Sequence, residues 1–513
     1  MEDCPLSVFN SEKHIIRYGA EMSTDSRSFS SLFFHPRIQL AAIILFGIFI
    51  LFTKLDKGEL AGLDDCYYAQ KTKEMLATGD WMTMHFGGRE FFDNPPFFMW
   101  LQAILFKPFG ANEYTARFWS AFLGLCTILL VYHLGKLWYN HQVGTYAAVI
   151  MLTTQYFLKY ARRGMMDVTL TFLVVLALFC FWKSFEKKRY LFGFGLSTAA
   201  AILTKSILGL FPILIVGCCL LVSRQWRRVF SMQYILGSAI ALSVGSTWFI
   251  HQYIVNGDVF VEQHFGVLIV ARALQAGGEH QPLYSYFWYV WKLFEHYLPW
   301  VFFAVCGCWI IIRRNIQPRV LGAEKQPYHP DILVLCWIGV VIGMMSFAYQ
   351  KKVWYIMSAF PALALVSAAA VERLLSTDRL RLRFYQTAFG FLLLAAVVFA
   401  ATPVRLDTNR HSDLKAIAHY VKNTTPEVQY IINYRIAYWI NRSVLLFYGD
   451  VDLSPTVENT ASLKQNISRD TYTPLLTKDT VFSDLSNDQE LDVRIIMKSR
   501  TFIYCNVRTK EHE

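Results

Sequence analysis

Charged residues are scarce in this 513-residue sequence: Asp, Glu, Lys and Arg make up 17% of it, whereas hydrophobic residues make up 54%. An ordinary soluble protein carries about 25% charged residues. The formal net charge of +11 comes from short basic clusters between apolar runs, with no sustained basic face, which argues against a nucleic-acid-binding protein. The composition therefore predicts a polytopic α-helical membrane protein.

Other features that would indicate a different class are also missing. The ten cysteines lie mostly inside apolar runs and show no C-x-x-C pair suited to zinc. The sequence has no internal repeat and no low-complexity segment. The first 37 residues lack a short apolar core followed by a small-residue cleavage site, so we expect the first helix to remain as an anchor.

Apolar runs long enough to span a bilayer predict about eleven transmembrane helices. The ten-residue run 97–106 is short for a span, and we interpret it as an interfacial or re-entrant helix. The predicted spans are 38–55, 116–135, 143–159, 166–182, 190–204, 206–222, 231–251, 297–312, 331–348, 353–371 and 384–401.

The distribution of Lys and Arg supports this count, because cytoplasmic loops carry an excess of them. With 97–106 lying flat, the outer loops after the first hold seven cations, which are Arg162, Arg163, Lys205, Arg272, Lys292, Lys351 and Lys352. The loops on the other side hold sixteen, which are Lys136, Lys183, Lys187, Lys188, Arg189, Arg224, Arg227, Arg228, Arg313, Arg314, Arg319, Lys325, Arg373, Arg379, Arg381 and Arg383. This asymmetry predicts a cytoplasmic amino terminus and an outward-facing first loop.

The chain becomes polar after Pro403. Segments with β-branched and aromatic residues at 427–449 and 493–507, beside a helical pattern at 411–422, predict a small α/β domain. The resulting division is a cytoplasmic segment 1–37, a transmembrane domain 38–402 with outer loops 56–115 and 252–296, and an outer carboxy-terminal domain 403–513.

A polar stretch, 63–96, follows the first span and places Asp64 and Asp65 at the membrane surface. An ionised aspartate can accept a proton from an incoming hydroxyl or amine, so Asp64 is a candidate general base. The alternative is that Asp64 caps the predicted helix 67–76. Spacing alone leaves both interpretations open.

Two further residues carry similar alternatives. Asp167 opens an apolar helix and either stabilises the amino terminus of that helix or forms an acidic site together with Asp64. His280 either has a structural partner, binds substrate, or forms a divalent metal site with Asp93 or Glu279. The metal requirement stays open.

Five predicted outer cations lie at the ends of spans, although Lys and Arg are expected mainly on the cytoplasmic side. For any single one, pairing with a nearby acid or a lipid headgroup is an adequate explanation. For the whole set, a phosphate bound at the membrane edge is a better one. The five are Arg162, Arg163, Lys205, Lys351 and Lys352.

The loop LDDCYYAQKTKEMLATGDW is similar to the pattern D-E-x-x-Y-A-E-x-x-x-E-M-L-x-x-G-D-W of bacterial lipid-carrier-dependent glycosyltransferases of the C-type superfamily. That group contains aminoarabinose transferases and protein O-mannosyltransferases. Further matching segments, in the family's order, are FFDNPP, FGANEYTAR, YARRGMMDVTLTF, LTKSILGLFP, VEQHFG, EHQPLYSYFWYV and KKVWYIMSAFPALAL.

The resemblance implies an inverting glycosyltransferase in the bacterial inner membrane. It would move a sugar from a polyprenyl-phosphate donor to a glycolipid such as lipid A, or to a protein, on the periplasmic face. Asp64 would be the catalytic acid or base and Asp167 the second acid. Together with the residues singled out above, the substrate-binding set is Asp65, Tyr68, Asp93, Arg162, Arg163, Lys205, His280, Lys351, Lys352 and Tyr355.

The sequence departs from the family pattern at four positions. Cys66-Tyr67 stands where the pattern similar to aminoarabinose transferases has Pro-Arg. Asn94 stands where the family pattern has Lys, and Ser206 follows Lys205 where the pattern has Gly. These changes leave the sugar and the acceptor open. The main alternative function is a transporter or flippase for a lipid-linked or anionic substrate, and a third is a non-catalytic scaffold.

Overall fold

The protein is described by a computed structural model that covers residues 35–60, 62, 64–271, 282–316, 330–402 and 412–510. Most of these residues are helical. The helices and strands up to the last apolar helix are α1 (Pro36–Phe52), α2 (Asp65–Thr78), β1 (Met84–Phe86), β2 (Arg89–Phe91), α3 (Phe97–Phe109), α4 (Glu113–Trp138), α5 (His141–Thr153), α6 (Gln155–Ala161), α7 (Met166–Ser184), α8 (Tyr190–Lys205), α9 (Phe211–Val222), α10 (Met232–Gly245), α11 (Thr247–Phe260), α12 (Trp288–His296), α13 (Trp300–Ile316), α14 (Pro330–Phe347), α15 (Phe360–Leu374) and α16 (Asp378–Ala401).

Seven helical stretches of the described chain are long and apolar enough to cross a membrane, so the protein is a multi-pass membrane protein. They are Glu113–Trp138, Met166–Ser184, Tyr190–Val222, Met232–Val267, Pro330–Phe347, Val353–Leu374 and Asp378–Ala401. The helices Pro36–Phe52 and Phe97–Phe109 and the segment Trp300–Arg313 are apolar but shorter. The count of eleven spans stays a prediction.

The stretch Tyr190–Val222 is not one straight helix. The chain turns at Lys205 and Ser206, and Ser206 has φ 48° and ψ −123°. A short 3₁₀ segment, Ser206–Leu210, then folds back so closely that a Cβ on Gly209 would lie 2.2 Å from the nitrogen of Ile202. The turn separates α8 from α9 and brings Lys205 to one end of the helical bundle.

Apolar side chains and close helix approaches form the interior of the bundle. Its largest fully buried side chains include Trp248 and Trp337. Between α4 and α5, a Cβ on Gly135 would lie 2.7 Å from the Cα of Gly144, so the two backbones touch. Small residues allow such contacts between membrane helices, where van der Waals packing replaces the hydrophobic effect as the main attraction.

The first loop between apolar helices is folded. It contains helix α2, a hairpin of β1 and β2, and helix α3. The two turn residues, Gly87 and Gly88, have φ of 62° and 70°, as a two-residue hairpin turn requires. Their backbone N–H groups donate to the carboxylate of Glu74 at 2.7 and 3.0 Å, which fixes the hairpin to α2.

Residues 412–510 form a mixed five-stranded sheet with helices on both faces. The strand order is β4-β3-β5-β7-β6, with β3 parallel to both β4 and β5, and with β7 antiparallel to both β5 and β6. The elements are α17 (Ser412–Thr424), β3 (Tyr430–Tyr434), α18 (Tyr438–Gly449), β4 (Asp452–Val457), α19 (Thr460–Asn466), β5 (Thr473–Lys478), α20 (Phe482–Ser486), β6 (Leu491–Lys498) and β7 (Phe502–Thr509).

This sheet unit packs directly on the first loop through α18. The backbone N–H of Leu60 donates to the hydroxyl of Tyr448 at 2.9 Å, and the thiol of Cys66 donates to the carbonyl of Ser443 at 3.2 Å. Apolar residues from both units, among them Ala69 and Val444, share one buried cluster. The carboxy-terminal unit therefore supports the helix that begins beside Asp64.

Candidate active site

Asp64 lies at the N-cap position of α2, but its side chain makes no capping hydrogen bond. Its Oδ1 instead accepts a hydrogen bond of 3.3 Å from the hydroxyl of Tyr68, one turn along the helix. Burial and the nearby charge of Asp167 raise the pKa of Asp64 to about 6, against the opposing effects of Lys205, Tyr68 and Lys352. A carboxylate with this pKa is a better proton acceptor than an ordinary aspartate.

Tyr68 is suited to hold that carboxylate. Burial and the charge of Asp64 raise the pKa of Tyr68 well above its usual value, so the phenol remains a neutral hydrogen-bond donor. Its ring packs edge-on against Phe98 of α3, with centroids 5.8 Å apart. The acid and its donor thus lie on a helix whose orientation is set by packing.

The second acid, Asp167, lies in the first turn of α7 and forms an ion pair with Lys205 at the end of α8. Both side chains are largely buried, at 2% and 13% exposure. The other carboxylate oxygen, Oδ2 of Asp167, is buried and has no hydrogen-bond partner within the described part of the chain. The Nζ of Lys205 also lies 4.8 Å from the ring centroid of Tyr355.

The segment 351–355 brings a further cation to the same place. Lys352 is exposed, and its charge acts on Asp64. Its backbone carbonyl accepts a hydrogen bond of 3.0 Å from the hydroxyl of Tyr289, which holds the segment against α12. The structure therefore gathers Asp64, Tyr68, Asp167, Lys205, Lys352 and Tyr355 from four separate parts of the sequence.

Asp65, which directly follows Asp64, faces a different environment. It is fully buried, its Oδ1 accepts from the backbone N–H of Gly164 at 2.8 Å, and its Oδ2 lies 3.4 Å from Nε of Arg117. Arg117 also donates to backbone carbonyls of the segment that leads to Asp64, including those of Leu55 and Lys57. Through these contacts, the segment on both sides of Asp64 is held to Gly164 and to Arg117 of α4.

Asp93 is engaged by its neighbours in the first loop. It forms an ion pair with Lys71 of α2, which is fully buried, and accepts hydrogen bonds from Tyr67 at 2.8 Å and Asn94 at 2.7 Å. Lys71 thus supplies a cation beside the position where the family pattern has Lys and this sequence has Asn94. Within the described ranges, no group of three or more His, Cys, Asp or Glu side chains is arranged to hold a metal ion.

The remaining predicted cations lie around the gathered residues, each with contacts of its own. Arg162 is fully buried and donates to the carbonyls of Ile50 and Leu51 at the end of α1. Arg163 lies over the ring of Tyr160, 5.8 Å from its centroid. Lys351 donates to the hydroxyl of Ser285 at 3.1 Å. His280, predicted to bind substrate or metal, lies outside the described residues.

Several residues that shape this site were not predicted from the sequence. Arg117, His264, Lys71 and Tyr289 all lie in segments that are similar to those of the family, and that similarity was the signal available for finding them. His264 is 1% exposed and bridges the carbonyl of Phe92 in the first loop and the hydroxyl of Ser206 in the turn after α8. Such a bridge depends on tertiary structure, so periodicity and spacing could not indicate it.

Two solved structures share the fold of this chain. The structure is similar to that of ArnT from Cupriavidus metallidurans bound to undecaprenyl phosphate, with a TM-score of 0.71 and 18% identity over 91% of this chain and 97% of that one. It is also similar to the archaeal oligosaccharyltransferase AglB from Archaeoglobus fulgidus, with a TM-score of 0.54 and 14% identity over 91% and 74% of the two chains.

Sequence comparisons agree with the fold. Residues 49–270 match the family model of dolichyl-phosphate-mannose-protein mannosyltransferases. The chain is 26% identical over 380 residues to the undecaprenyl phosphate-alpha-4-amino-4-deoxy-L-arabinose arabinosyl transferase of Erwinia tasmaniensis, covering 70% of this chain and 65% of that protein. An uncharacterized protein of Aquifex aeolicus is 27% identical over 310 residues, covering 60% of this chain and 58% of that protein. The matches span less than two thirds of these relatives, and they confirm the predicted resemblance to membrane glycosyltransferases.

Proposed function

We propose that the chain is an integral-membrane glycosyltransferase that moves a sugar from a polyprenyl-phosphate carrier to an acceptor, with inversion at the sugar carbon. The observation that carries the proposal is the placement of Asp64 opposite the Asp167–Lys205 pair, with Lys352 beside them, at one end of an apolar helical bundle. A lipid phosphate rests at this level because its chain stays in the bilayer.

The chemistry assigns one task to each side chain. The acceptor hydroxyl or amine attacks the sugar carbon and gives its proton to Asp64, which Tyr68 orients. The bond between that carbon and the phosphate oxygen breaks, and the phosphate leaves as an anion. Lys205 and Lys352 stabilise the developing negative charge, with Lys351 at the edge of the site, as preorganised cations do. Oδ2 of Asp167, which is buried and has no hydrogen-bond partner within the described residues, would be a further acceptor for a substrate hydroxyl or amine.

The proposal includes the placement of the protein. Eleven spans follow if α5 and α6 together cross once and the turn at Lys205 separates two crossings. The site, the first loop and the carboxy-terminal domain then lie on the periplasmic face of a bacterial inner membrane. The donor partner is a polyprenyl-phosphate-linked sugar, and the acceptor is a glycolipid such as lipid A or a protein.

A donor-consumption assay tests the activity. Purified protein in detergent, without any gradient, is given undecaprenyl phosphate carrying 4-amino-4-deoxy-L-arabinose or mannose together with lipid A or a peptide, and release of undecaprenyl phosphate is measured. We expect release by the wild type and a loss of about 10²- to 10⁴-fold in Asp64→Asn, the usual range for a general base. The matched control is Asp56→Asn, whose carboxylate is half exposed and pairs with Lys57 at 2.8 Å.

Two results would contradict this function. Near-normal turnover by Asp64→Asn would remove the assigned base. Movement of an intact lipid-linked sugar across vesicle membranes, with no donor cleaved in detergent, would favour the transporter that the sequence left open.

Thiol labelling tests the placement. The cysteines that the structure describes are buried or half-buried, so cysteines introduced at exposed positions give a clear signal above the parent protein. We expect a membrane-impermeant reagent, added from the periplasmic side, to label Lys57→Cys and Arg469→Cys but not Lys188→Cys. Labelling of position 188 together with position 57 would overturn the predicted topology.

A further inference from the structure

The turn that carries Lys205 has an unusual backbone. Ser206 has φ 48° and ψ −123°, in the region of positive φ that glycine adopts readily and other residues rarely adopt. A residue with a side chain stays in such a conformation only when its surroundings hold it there. Because Ser206 follows Lys205 directly, whatever holds Ser206 also sets the direction of the lysine.

The side chain of Ser206 has one specific partner. Its hydroxyl lies 3.0 Å from Nε2 of His264, and Nδ1 of the same ring hydrogen-bonds to the carbonyl oxygen of Phe92. The carbonyl can only accept, so Nδ1 carries the hydrogen. In the neutral ring Nε2 then accepts from the hydroxyl of Ser206.

The imidazole itself has little freedom to move. It is 1% exposed and lies among aromatic rings, with the centroid of Trp248 at 5.5 Å and that of Phe260 at 5.4 Å. A ring held in this way provides a fixed acceptor for the serine hydroxyl. The hydrogen-bond chain therefore runs from the first loop, through His264, to the turn after α8.

We propose that Ser206 and His264 are positioning residues for Lys205: their hydrogen bond holds the turn in its glycine-like conformation and directs the ammonium group to Asp167 and the ring of Tyr355. The inference rests on the proposed function in one respect, which is that Lys205 contacts the donor phosphate. The bond also connects the position of Lys205 to the segment that contains Asp93.

The test compares two substitutions that each remove this one hydrogen bond. Ser206→Gly adopts the turn without strain but lacks the hydroxyl. His264→Asn keeps a donor near the position of Nδ1, which preserves the bond to Phe92, but loses the acceptor for Ser206. The measured quantity is the rate at which an amine-acylating reagent modifies Lys205 in the full-length protein, quantified by peptide mass spectrometry.

We expect each substitution to raise the Lys205 labelling rate about fivefold, the size of effect that follows from losing one hydrogen bond. The double variant should be no faster than either single one, because both remove the same interaction. Controls are His251→Asn and Ser246→Ala, in the same helical stretch as His264, which should leave the rate unchanged. Unchanged labelling in either single variant, or multiplicative effects in the double variant, would overturn the inference.

A second readout separates this inference from the proposed function. The dissociation constant of undecaprenyl phosphate should rise about fivefold in both single variants, as the labelling rate does. If the wild-type protein binds no undecaprenyl phosphate and consumes no donor, the proposed function fails. The labelling data then still decide whether Ser206 and His264 position Lys205.

Discussion

Asp65 accepts a hydrogen bond of 2.8 Å from the backbone N–H of Gly164, a residue 99 positions later in the chain. Asp65 directly follows Asp64, and Gly164 lies three residues before Asp167. This one buried bond therefore joins the two segments that carry the acids of the site.

The close approach at Gly164 leads to the first prediction. A Cβ at this position would lie 2.6 Å from Oδ1 of Asp65 and 2.9 Å from the carbonyl oxygen of Ala116. Gly164→Ala should lower the free energy of unfolding by about 1–3 kcal/mol, as overpacking does, and should reduce donor turnover because Asp64 moves with Asp65. Thermal unfolding in detergent and the donor assay measure both effects. Gly339→Ala, which has open space around its Cβ, should change neither.

Asp65→Asn should act mainly on stability. The carboxylate is buried with Arg117, and neutralising it leaves the guanidinium buried with less compensation, an effect of about 3–5 kcal/mol when a buried pair is broken. We expect a large drop in melting temperature, whereas Asp64→Asn should melt no lower than the wild type. Equal melting temperatures for the two variants would contradict the different environments of these adjacent residues.

The raised pKa of Asp64 predicts a pH dependence of activity. A general base must be ionised, and burial raises the pKa of Asp64 from 3.8 to about 6. We expect kcat/KM to increase with pH up to about 6 and then to level off. A donor assay between pH 4.5 and 8 measures the profile. A value of kcat/KM that does not change across pH 6 would show that Asp64 is not the general base.

The same shift affects stability with a defined sign. The folded protein holds the Asp64 proton more tightly than the unfolded chain does, because the folded-state pKa of about 6 exceeds 3.8. Its stabilising contribution is complete below about pH 4 and is lost as the pH rises through about 6. The side chain of Asp64→Asn does not ionise, so the variant does not lose stability in this way. Its melting temperature relative to the wild type should therefore increase between pH 5 and 8. A constant difference over that range would contradict the shift.

The contact between the carboxy-terminal domain and the first loop gives a further prediction. The hydroxyl of Tyr448 accepts from the backbone N–H of Leu60 and donates to Glu113 at 3.0 Å. Tyr448→Phe leaves both groups without this partner, which should cost about 1–3 kcal/mol and lower turnover by loosening the segment before Asp64. Calorimetry and the donor assay test this. Tyr420→Phe, whose ring packs against Tyr504 inside the domain, is the control.

Part of the site could be predicted from the sequence. Charge bias between apolar runs placed Asp64, Asp167, Lys205 and Lys352 on one side of the membrane, and the structure brings these residues together. The roles of those residues stay predictions. The prediction counts crossings, because a helix that crosses a bilayer delivers its two ends to opposite faces, and the count of eleven stays a prediction.

Other features of the site could not be predicted. Asp64 and Asp65 are the same residue type in adjacent positions, and only the direction of each side chain separates a carboxylate beside Tyr68, Asp167 and Lys205 from one beside Gly164 and Arg117. Arg162 and Arg163 differ in the same way. Arg162 donates to the carbonyl of Ile50 at the end of α1, whereas Arg163 lies over the ring of Tyr160.

By itself, the sequence determined that this chain is a multi-pass membrane protein, where its apolar runs lie, and which polar residues lie at their ends. Those properties depend on local composition, because each apolar segment partitions into lipid largely on its own. Tertiary structure alone decided that Lys71 pairs with Asp93, that His264 holds Ser206, and that the carboxy-terminal domain supports α2. Such contacts join residues far apart in the chain, and their energies depend on geometry that exists only once the helices have packed.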